Sequence, residues 1–263
     1  MDNRPIGVFD SGVGGLSILR EIKKLLPNES TIFFADQAYV PYGQKTKDEL
    51  LDRVTKILEF FETQNVKAVV AACNTATVYT INEMREKFPF PIIGTVPVVK
   101  TLANISETRV AAVFSTPATA KSPYLADLIT KFAPDMEIIK VGGSNLEELV
   151  EDGEIDTQAV KDVLQKELPP LLTKNVDAIA LGCTHYPFLR EQIREVVGSG
   201  IKIVDSGGAV ARRLHYILEH ENILATDKTE DQYYTTGDDA RFKRVAEKLM
   251  NINLSNVHHM DLK

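Results

Sequence analysis

Two cysteines each follow a short apolar segment of the sequence. Residues 66–72 precede Cys73-Asn74-Thr75, and residues 176–182 precede Cys183-Thr184-His185. Segments of this length and composition are typical of buried parallel strands, and side chains at the carboxyl ends of such strands line the ligand crevice of α/β proteins. Two thiols in these positions could act on one substrate from opposite sides. They could remove a proton from one face of a carbon atom and return a proton to the other.

A structural role is the alternative for each cysteine, because free cysteine is among the most buried residue types. Both thiols, however, are followed at once by amide, hydroxyl or imidazole groups, which a dry core does not accommodate. A disulfide is the third alternative. Residues 1–5 lead into an apolar strand pattern without the hydrophobic stretch of a signal peptide, and two cysteines in 263 residues are too few for a disulfide scaffold. We therefore expect two reduced thiols in a cytoplasmic protein.

Length and composition predict a globular protein of two domains. The chain has 263 residues, which is long for a single hydrophobic core, and its 44% hydrophobic and 25% charged residues are ordinary for a globular protein. No apolar run is long enough to span a bilayer. The formal charge of −7 argues against a general nucleic-acid surface. We therefore expect neither a membrane nor a nucleic acid as partner.

Strand and helix patterns alternate along the chain, which predicts βαβ units and mainly parallel sheets, an α/β fold. The predicted strands cover residues 6–9, 31–35, 68–72, 92–97, 109–114, 137–141, 176–182 and 201–204. The predicted helices cover residues 16–26, 47–64, 77–87, 122–132, 157–172 with an interruption near Pro169, and 188–197. One helix has an apolar face formed by Leu50, Leu51, Val54, Ile57, Leu58 and Phe61.

Two short patterns occur twice. One is the cysteine segment, and the other is Asp10-Ser11-Gly12, which resembles Asp205-Ser206-Gly207 and likewise follows an apolar stretch. The repeats predict two pseudo-equivalent α/β halves that face each other, with chance similarity of short strings as the alternative. Facing α/β domains bind ligands between their strand ends.

Proton removal next to a carboxylate needs a base close to the carbon atom and stabilisation of the charge that develops. A thiolate is a competent base and a neutral thiol is not, so each thiol needs a neighbour that lowers its pKa or takes its proton. Asp10 and His185 are the candidates, one in each half. Imidazole exchanges protons near neutral pH. A lone histidine is otherwise often a satisfied, half-buried residue, but its position beside Cys183 favours the functional interpretation.

Segment 10–15, Asp-Ser-Gly-Val-Gly-Gly, could be mistaken for a dinucleotide-binding loop. It lacks the third glycine of that fingerprint, and Asp10 would repel a pyrophosphate. We interpret its glycines as a tight turn whose backbone N–H groups could bind a substrate carboxylate. A turn made only for helix–sheet packing is the alternative.

Two other loops offer polar groups. Pro41-Tyr42-Gly43 presents a ring and a backbone N–H, either to a ligand or as a surface plug. Residues 116–119, Thr-Pro-Ala-Thr, form either a helix cap or a ligand contact. His258 and His259 lack metal-ligand spacing and are predicted to be exposed. The chain also lacks a recognisable phosphate loop, so we expect no metal or nucleotide cofactor.

Taken together, these motifs resemble the cofactor-independent glutamate racemase family. Related aspartate and hydantoin racemases share the two cysteines but typically lack the segment 10–15 and the string Cys-Thr-His-Tyr-Pro. The matching strings span nearly the whole chain in family order; they lie at residues 7–17, 41–43, 72–76, 182–187, 204–207 and 236–238.

The resemblance implies a discontinuous first domain of residues 1–96 and 206–263 and a second domain of residues 97–205, with mainly parallel sheets facing each other across an active-site cleft. It implies racemisation of free glutamate without pyridoxal phosphate, supplying D-glutamate for peptidoglycan, and a homodimer as is common in the family. It assigns proton transfer to Cys73, which acts on the D-enantiomer, and to Cys183, which acts on the L-enantiomer. The substrate contacts that it implies are Asp10, Ser11, Pro41, Tyr42, Gly43, Asn74, Thr75, Thr119, Thr184 and His185.

Two other functions stay open at this point. One is a racemase for aspartate or another acidic amino acid. The other is a two-domain amino-acid-binding protein without catalysis, in which both cysteines are simply buried. Conversion of L-glutamate or L-aspartate by the purified protein without added cofactor would discriminate among the three.

Overall fold

Strands and helices alternate through the first 95 residues of the computed structural model, which describes residues 1–143 and 145–262. The elements are β1 (Ile6–Asp10), α1 (Leu16–Leu25), β2 (Thr31–Ala35), α2 (Lys47–Thr63), β3 (Ala68–Ala71), α3 (Asn74–Lys87) and β4 (Ile92–Gly94). One-turn 3-10 helices occupy Val13–Gly15, Gln37–Tyr39 and Tyr42–Gln44.

A second series of strands and helices follows. Its elements are α4 (Val99–Ile105), β5 (Val110–Ser115), α5 (Pro117–Lys121), α6 (Pro123–Phe132), β6 (Glu137–Gly142), α7 (Leu146–Glu151), α8 (Gln158–Glu167), α9 (Pro169–Leu172), β7 (Ala178–Leu181), a 3-10 helix (Tyr186–Leu189), α10 (Arg190–Val197) and β8 (Lys202–Asp205). The last elements are α11 (Gly207–His220), β9 (Gln232–Thr235), α12 (Asp239–Met250) and β10 (Val257–His259).

The chain divides into two compact units. The first comprises Met1–Thr95 and Gly207–Lys263, and the second comprises Val96–Ser206. Val96 and Ser206 therefore belong to the second unit, one residue outside the predicted range 97–205 at each end. Among the described residues, none of the helices combines the length and the apolar character that a membrane crossing requires.

Each unit contains one parallel sheet, which confirms the α/β class with mainly parallel sheets. The first sheet has six strands in the order β10-β9-β2-β1-β3-β4, and the second has four in the order β6-β5-β7-β8. The strands β1 and β2 are buried along their whole lengths, as expected for a parallel sheet covered on both faces.

Both sheets share one core order, in which the first strand of the series lies between the second and the third. Cys73 follows the third strand of its series, β3, and Cys183 follows the third strand of its own, β7. The two cysteine segments are therefore topologically equivalent. The two Asp-Ser-Gly patterns are not topologically equivalent, because Asp10 ends the first strand of one series whereas Asp205 ends the fourth strand of the other. That similarity is one of short strings only.

The helix α2 begins and packs as its sequence pattern predicts. Thr46 and Glu49 form a capping box at its start, and the predicted apolar face is buried except at Leu51, which is partly exposed. The predicted interruption near Pro169 is confirmed, because α8 ends at Glu167 and α9 begins at Pro169, which has no backbone N–H. The predicted helix of residues 77–87 differs from the structure, because α3 begins three residues earlier, at Asn74.

Candidate active site

Cys73 lies between β3 and α3 and is the N-cap residue of that helix. Its side chain is 6% exposed, its sulfur accepts a hydrogen bond from the Ala76 N–H at 3.5 Å, and Ser11 Oγ lies 3.9 Å away. A helix N-terminus and an N–H donor both favour negative charge on a sulfur atom. These two features favour the anion of Cys73, whereas the burial of its side chain opposes it.

Asp10 ends β1 and is fully buried beside the start of α1. Its carboxylate accepts hydrogen bonds from the Gly15 N–H at 2.7 Å and from the Gly12 N–H at 3.4 Å. The Asp10 side chain thus takes two of the N–H groups of the segment 10–15, and a substrate contact with the other N–H groups of this segment stays a prediction. A Cβ atom on Gly15 would lie 2.5 Å from the Asp10 Cβ, so this turn requires glycine.

Asn74 is the first residue of α3 and is 3% exposed. Among the described residues, neither the oxygen nor the nitrogen of its side-chain amide has a hydrogen-bond partner. A buried polar atom without a partner costs about 1–3 kcal/mol, a cost that a bound polar ligand can relieve. Thr75 beside it is also buried. Asn74 is thus poised to bind a small polar molecule next to the Cys73 sulfur.

Tyr42 belongs to a buried network rather than to a surface plug. Its hydroxyl donates to the Asp36 carboxylate at 2.7 Å, and the same carboxylate accepts from Arg53 at 2.6 and 2.7 Å and from the Thr236 hydroxyl at 2.9 Å. Burial and the Asp36 charge raise the pKa of Tyr42 well above its usual value, so the phenol stays protonated. The flanking Pro41 follows a cis peptide bond, and Gly43 lies in the same one-turn helix as Tyr42.

Cys183 follows β7 in the second unit and has a different set of neighbours. Its sulfur lies 3.6 Å from His185 Nδ1, and His185 Nε2 lies 2.7 Å from a carboxylate oxygen of Glu151, which ends α7. All three side chains are buried. The arrangement is a chain of thiol, imidazole and carboxylate.

The protonation of the thiol and the imidazole depends on burial and on their hydrogen bonds. Burial alone would lower the pKa of His185, but its bonds to Cys183 and Glu151 raise it well above the usual value. Burial raises the pKa of the Cys183 thiol, and the bond to His185 offsets only part of that rise. The contacts of His185 thus favour the imidazolium, and burial favours the protonated form of the Cys183 thiol.

Thr119 and Thr184 complete the predicted residues of the second unit. Thr184 is buried between Cys183 and His185, and Thr119 is buried in α5. The Thr116 side chain accepts the Thr119 N–H at 3.1 Å and caps α5, so the cap interpretation of this segment is correct for Thr116. The contact of Thr119 with substrate stays a prediction.

Each unit thus collects its predicted residues at the carboxyl end of its sheet. A cavity of about 900 Å³ in the first unit lies elsewhere, at β4 and the amino end of β3, and none of the predicted site residues lines it. In the part of the chain that the structure describes, no group of three His, Cys, Asp or Glu side chains could hold a metal ion.

Sequence reasoning missed the partners that tune these residues. Glu151 lies 34 residues before His185, and Asp36 contacts Thr236 from 200 residues away. No local pattern marks such pairs. In the sequence, Asp36 is visible as an acidic residue after a predicted strand and Glu151 as one of several acidic residues in a short segment. Such residues are too common to identify a partner of the site.

Comparison with known proteins identifies the family. Residues 6–214 match the Asp/Glu/Hydantoin racemase family. The chain is 41% identical to the glutamate racemase of Pseudomonas syringae pv. tomato over 89% of this chain and 86% of that protein. It is 42% identical to the glutamate racemase of Ectopseudomonas mendocina over 94% of both.

Solved structures of glutamate racemases have the same fold as this chain. Glutamate racemase isoform RacE1 of Bacillus anthracis superposes with a TM-score of 0.92 at 31% identity, covering 100% of this chain and 99% of that one. The Francisella tularensis glutamate racemase in complex with D-glutamate gives a TM-score of 0.88 at 31% identity, with 100% and 99% coverage. The chain therefore belongs to the Asp/Glu/Hydantoin racemase family and, within it, to the glutamate racemases.

Proposed function

We propose that this chain interconverts L- and D-glutamate by proton transfer between Cα and the thiols of Cys73 and Cys183, without a cofactor. One observation supports the mechanism: two buried thiols follow topologically equivalent strands, and each has a neighbouring group that can stabilise its anion. The Ala76 N–H donates to the Cys73 sulfur, and the His185 imidazole lies beside the Cys183 sulfur. Two thiols that can each give up and take back a proton are what inversion at carbon by two bases requires.

In the D-to-L direction, the Cys73 thiolate takes the α-proton of D-glutamate and becomes a thiol. The electron pair of the broken C–H bond spreads into the α-carboxylate. The Cys183 thiol then delivers its proton to the opposite face of Cα, and the imidazolium of His185 stabilises the thiolate that remains. In the L-to-D direction the roles are exchanged, so Cys183 must first lose its proton and Cys73 must gain one.

The substrate class follows from the family and from the polar groups near the thiols. The solved structures similar to this chain include one in complex with D-glutamate and one, from Escherichia coli, in complex with L-glutamate. Here the unpartnered Asn74 amide supports a contact with one of the substrate's charged groups. We assign the further contacts to the residues predicted from the sequence, which are Asp10, Ser11, Pro41, Tyr42, Gly43, Thr75, Thr119, Thr184 and His185.

As a cytoplasmic enzyme, this chain would supply D-glutamate for peptidoglycan synthesis. Its two compact units would act as the two domains of the enzyme. We expect a homodimer in solution, which light scattering coupled to size-exclusion chromatography would measure.

Isotope exchange tests the mechanism without any substitution. L-glutamate incubated with the protein in heavy water should give D-glutamate almost fully deuterated at Cα, because the second thiol has equilibrated with solvent. Recovered L-glutamate should carry much less label at early times. Mass spectrometry of the separated enantiomers measures both.

Each other outcome contradicts a specific part of the proposal. Substantial protium in the early D-glutamate would mean that one base swings between the two faces, which contradicts the two-thiol assignment. No exchange and no D-glutamate would favour a binding protein. A parallel incubation with L-aspartate should show little conversion, and faster turnover of aspartate would instead assign an aspartate racemase.

A further inference from the structure

A buried carboxylate lies next to the predicted substrate loop, residues 41–43. Asp36 directly follows β2 and is 0% exposed, and its backbone N–H donates to the Asp10 carbonyl oxygen at 3.0 Å. Asp36 therefore lies at the carboxyl end of the first sheet, the edge at which Asp10 and Cys73 also lie. Neither the two-thiol mechanism nor the predicted substrate contacts use this carboxylate.

Each oxygen of the Asp36 carboxylate accepts two hydrogen bonds. Oδ1 accepts from Arg53 Nη2 at 2.6 Å and from the Thr236 hydroxyl at 2.9 Å. Oδ2 accepts from Arg53 Nε and from the Tyr42 hydroxyl, each at 2.7 Å. A carboxylate has about four acceptor sites, so these bonds leave none for a ligand. Asp36 therefore acts on the site through the side chains that it binds.

Regular elements supply two of these three partners. Arg53 lies in α2, its side chain is 11% exposed, and its Nη1 donates to the Leu262 carbonyl oxygen at 3.1 Å. Two parallel bonds between a guanidinium and a carboxylate fix the direction of both groups as well as their distance. Thr236 follows β9, which pairs with β2. A helix and a sheet strand thus fix the carboxylate, whereas its third partner, Tyr42, belongs to the substrate loop.

Tyr42 connects this carboxylate with the Cys73 site. The one-turn helix Tyr42–Gln44 packs against α3, the helix that Cys73 caps, and Tyr42 is buried in the same side-chain cluster as Cys73. Gly43, a predicted substrate contact, is the next residue along the chain. A hydrogen bond from a buried phenol to a fixed carboxylate holds the ring in one position and restricts the backbone beside it. The placement of the Gly43 N–H therefore depends on the bond between Tyr42 and Asp36.

We infer that Asp36 is a positioning residue for substrate binding, which fixes the Tyr42 hydroxyl and so holds the substrate loop in the conformation that binds glutamate next to Cys73. The inference rests on the proposed function, in which the substrate loop contacts glutamate. Asp36 would act through Tyr42 and not on the reacting atoms. A bond that only orders a binding loop stabilises the bound substrate and the transition state alike, so its loss should raise KM more than it lowers kcat.

Steady-state kinetics of three variants test this role. Tyr42→Phe keeps the ring and removes the donor, and Asp36→Asn removes the charge that fixes the donor. Each should raise KM for L-glutamate about tenfold, the effect of losing one hydrogen bond, and lower kcat by less than about threefold. The double variant Tyr42→Phe/Asp36→Asn should raise KM no further, because Asp36 acts through the phenol. With D-glutamate kcat/KM should fall by the same factor, since the two enantiomers have equal free energy.

Thr236→Val is the matched control. It also removes one hydroxyl donor from the same carboxylate, but this donor follows β9 and does not belong to the substrate loop. The free energy of unfolding should fall, and KM should stay within about twofold of the wild-type value. If circular dichroism shows that Asp36→Asn does not fold, Asp36→Asn/Arg53→Gln takes its place, because it removes both charges of the buried pair.

A merely structural role gives a different result. It would lower the midpoint of urea unfolding and the fraction of active protein without changing the KM of the folded molecules. An unchanged KM in the folded Asp36 variant would overturn the role of Asp36 and leave the two-thiol mechanism intact. Additive rises in the double variant, or an equal rise for Thr236→Val, would also contradict an action of Asp36 through Tyr42.

Failure of the proposed function is recognised separately. Glutamate racemisation by the wild-type protein is measured before any variant, and its absence would contradict the proposed function itself. The positioning role of Asp36 is then judged only from changes in KM relative to an active wild-type protein.

Discussion

The two thiols differ in what stabilises each of their charge states. Both sulfur atoms are buried to the same extent. A backbone N–H and a helix N-terminus favour the anion of Cys73, whereas the His185 imidazole favours the anion of Cys183 and offsets only part of the effect of burial there. The free enzyme must exchange protons with water between turnovers to convert one form into the other.

Serine substitution tests each thiol. Cys73→Ser and Cys183→Ser should each lower racemisation in both directions by more than about a hundredfold. A serine hydroxyl is a far weaker acid than a thiol, so it neither forms the anion that acts as base nor donates a proton as readily. Circular dichroism should show unchanged folding. Turnover close to that of the wild type in either variant would return that cysteine to a structural role.

Asp10 and His185 should affect the rate more than substrate binding. In Asp10→Asn and His185→Asn we expect kcat to fall more than KM rises, because both groups act mainly while the proton moves. Asp10→Asn should impair turnover of D-glutamate more, and His185→Asn that of L-glutamate, since the imidazolium stabilises the Cys183 thiolate. If KM rises in both variants and kcat does not fall, Asp10 and His185 only bind the substrate.

At the scale of elements, tight turns at strand ends fix the groups of the site. The Gly15 backbone is in the right-handed helical region, so alanine there is strained by contact and not by φ. With alanine at position 15, the new Cβ atom would lie 2.5 Å from the Asp10 Cβ and 3.1 Å from the Ala72 Cβ. The backbone around these residues would therefore have to move. These contacts join the start of α1 to the ends of β1 and β3.

Gly15→Ala should therefore lower both the free energy of unfolding and activity. We expect a loss of about 1–3 kcal/mol, the usual cost of overpacking, with kcat reduced because Asp10 is displaced. Gly200→Ala is the matched control, since a Cβ atom there meets nothing within 4 Å and the substitution should change stability by less than about 1 kcal/mol. Equal urea midpoints for the two variants would contradict the crowding at Gly15.

At the scale of the whole molecule, one buried ion pair joins distant parts of the first unit. Lys67 Nζ lies 2.7 Å from a Glu29 carboxylate oxygen and donates to the backbone oxygens of Asp2 and Ile223, each at 2.6 Å. The side chains of Lys67 and Glu29 are 0% and 2% exposed. The pair thus connects the start of the chain with the segment that returns after α11.

Removing one partner should leave the other charge buried and unpaired. Lys67→Met should lower the free energy of unfolding by about 3–5 kcal/mol, measured by urea denaturation. Lys202→Met is the control: Lys202 pairs with Glu107 at 2.7 Å but is 44% exposed, and its loss should cost about 1 kcal/mol or less. A similarly small loss for Lys67→Met would show that this connection contributes little.

The sequence by itself determined the features that repeat over a few residues. Strand and helix periods predicted the alternating α/β fold, and the positions of Cys73 and Cys183 after apolar segments predicted that both follow strands, as they do after β3 and β7. The motifs also predicted the racemase family. These features depend on neighbouring residues and on side-chain chemistry, so they can be predicted before the chain is folded.

Only the tertiary structure decided which side chains control the thiols. The six-residue helix α7 is too short to show a helical period, yet it brings Glu151 to His185. The start of α3 at Asn74 made Cys73 an N-cap, and the Asp10 carboxylate accepts hydrogen bonds from two N–H groups of the segment 10–15. Charge states depend on burial and on partners that sheet order brings together from distant parts of the chain, and no local pattern encodes either.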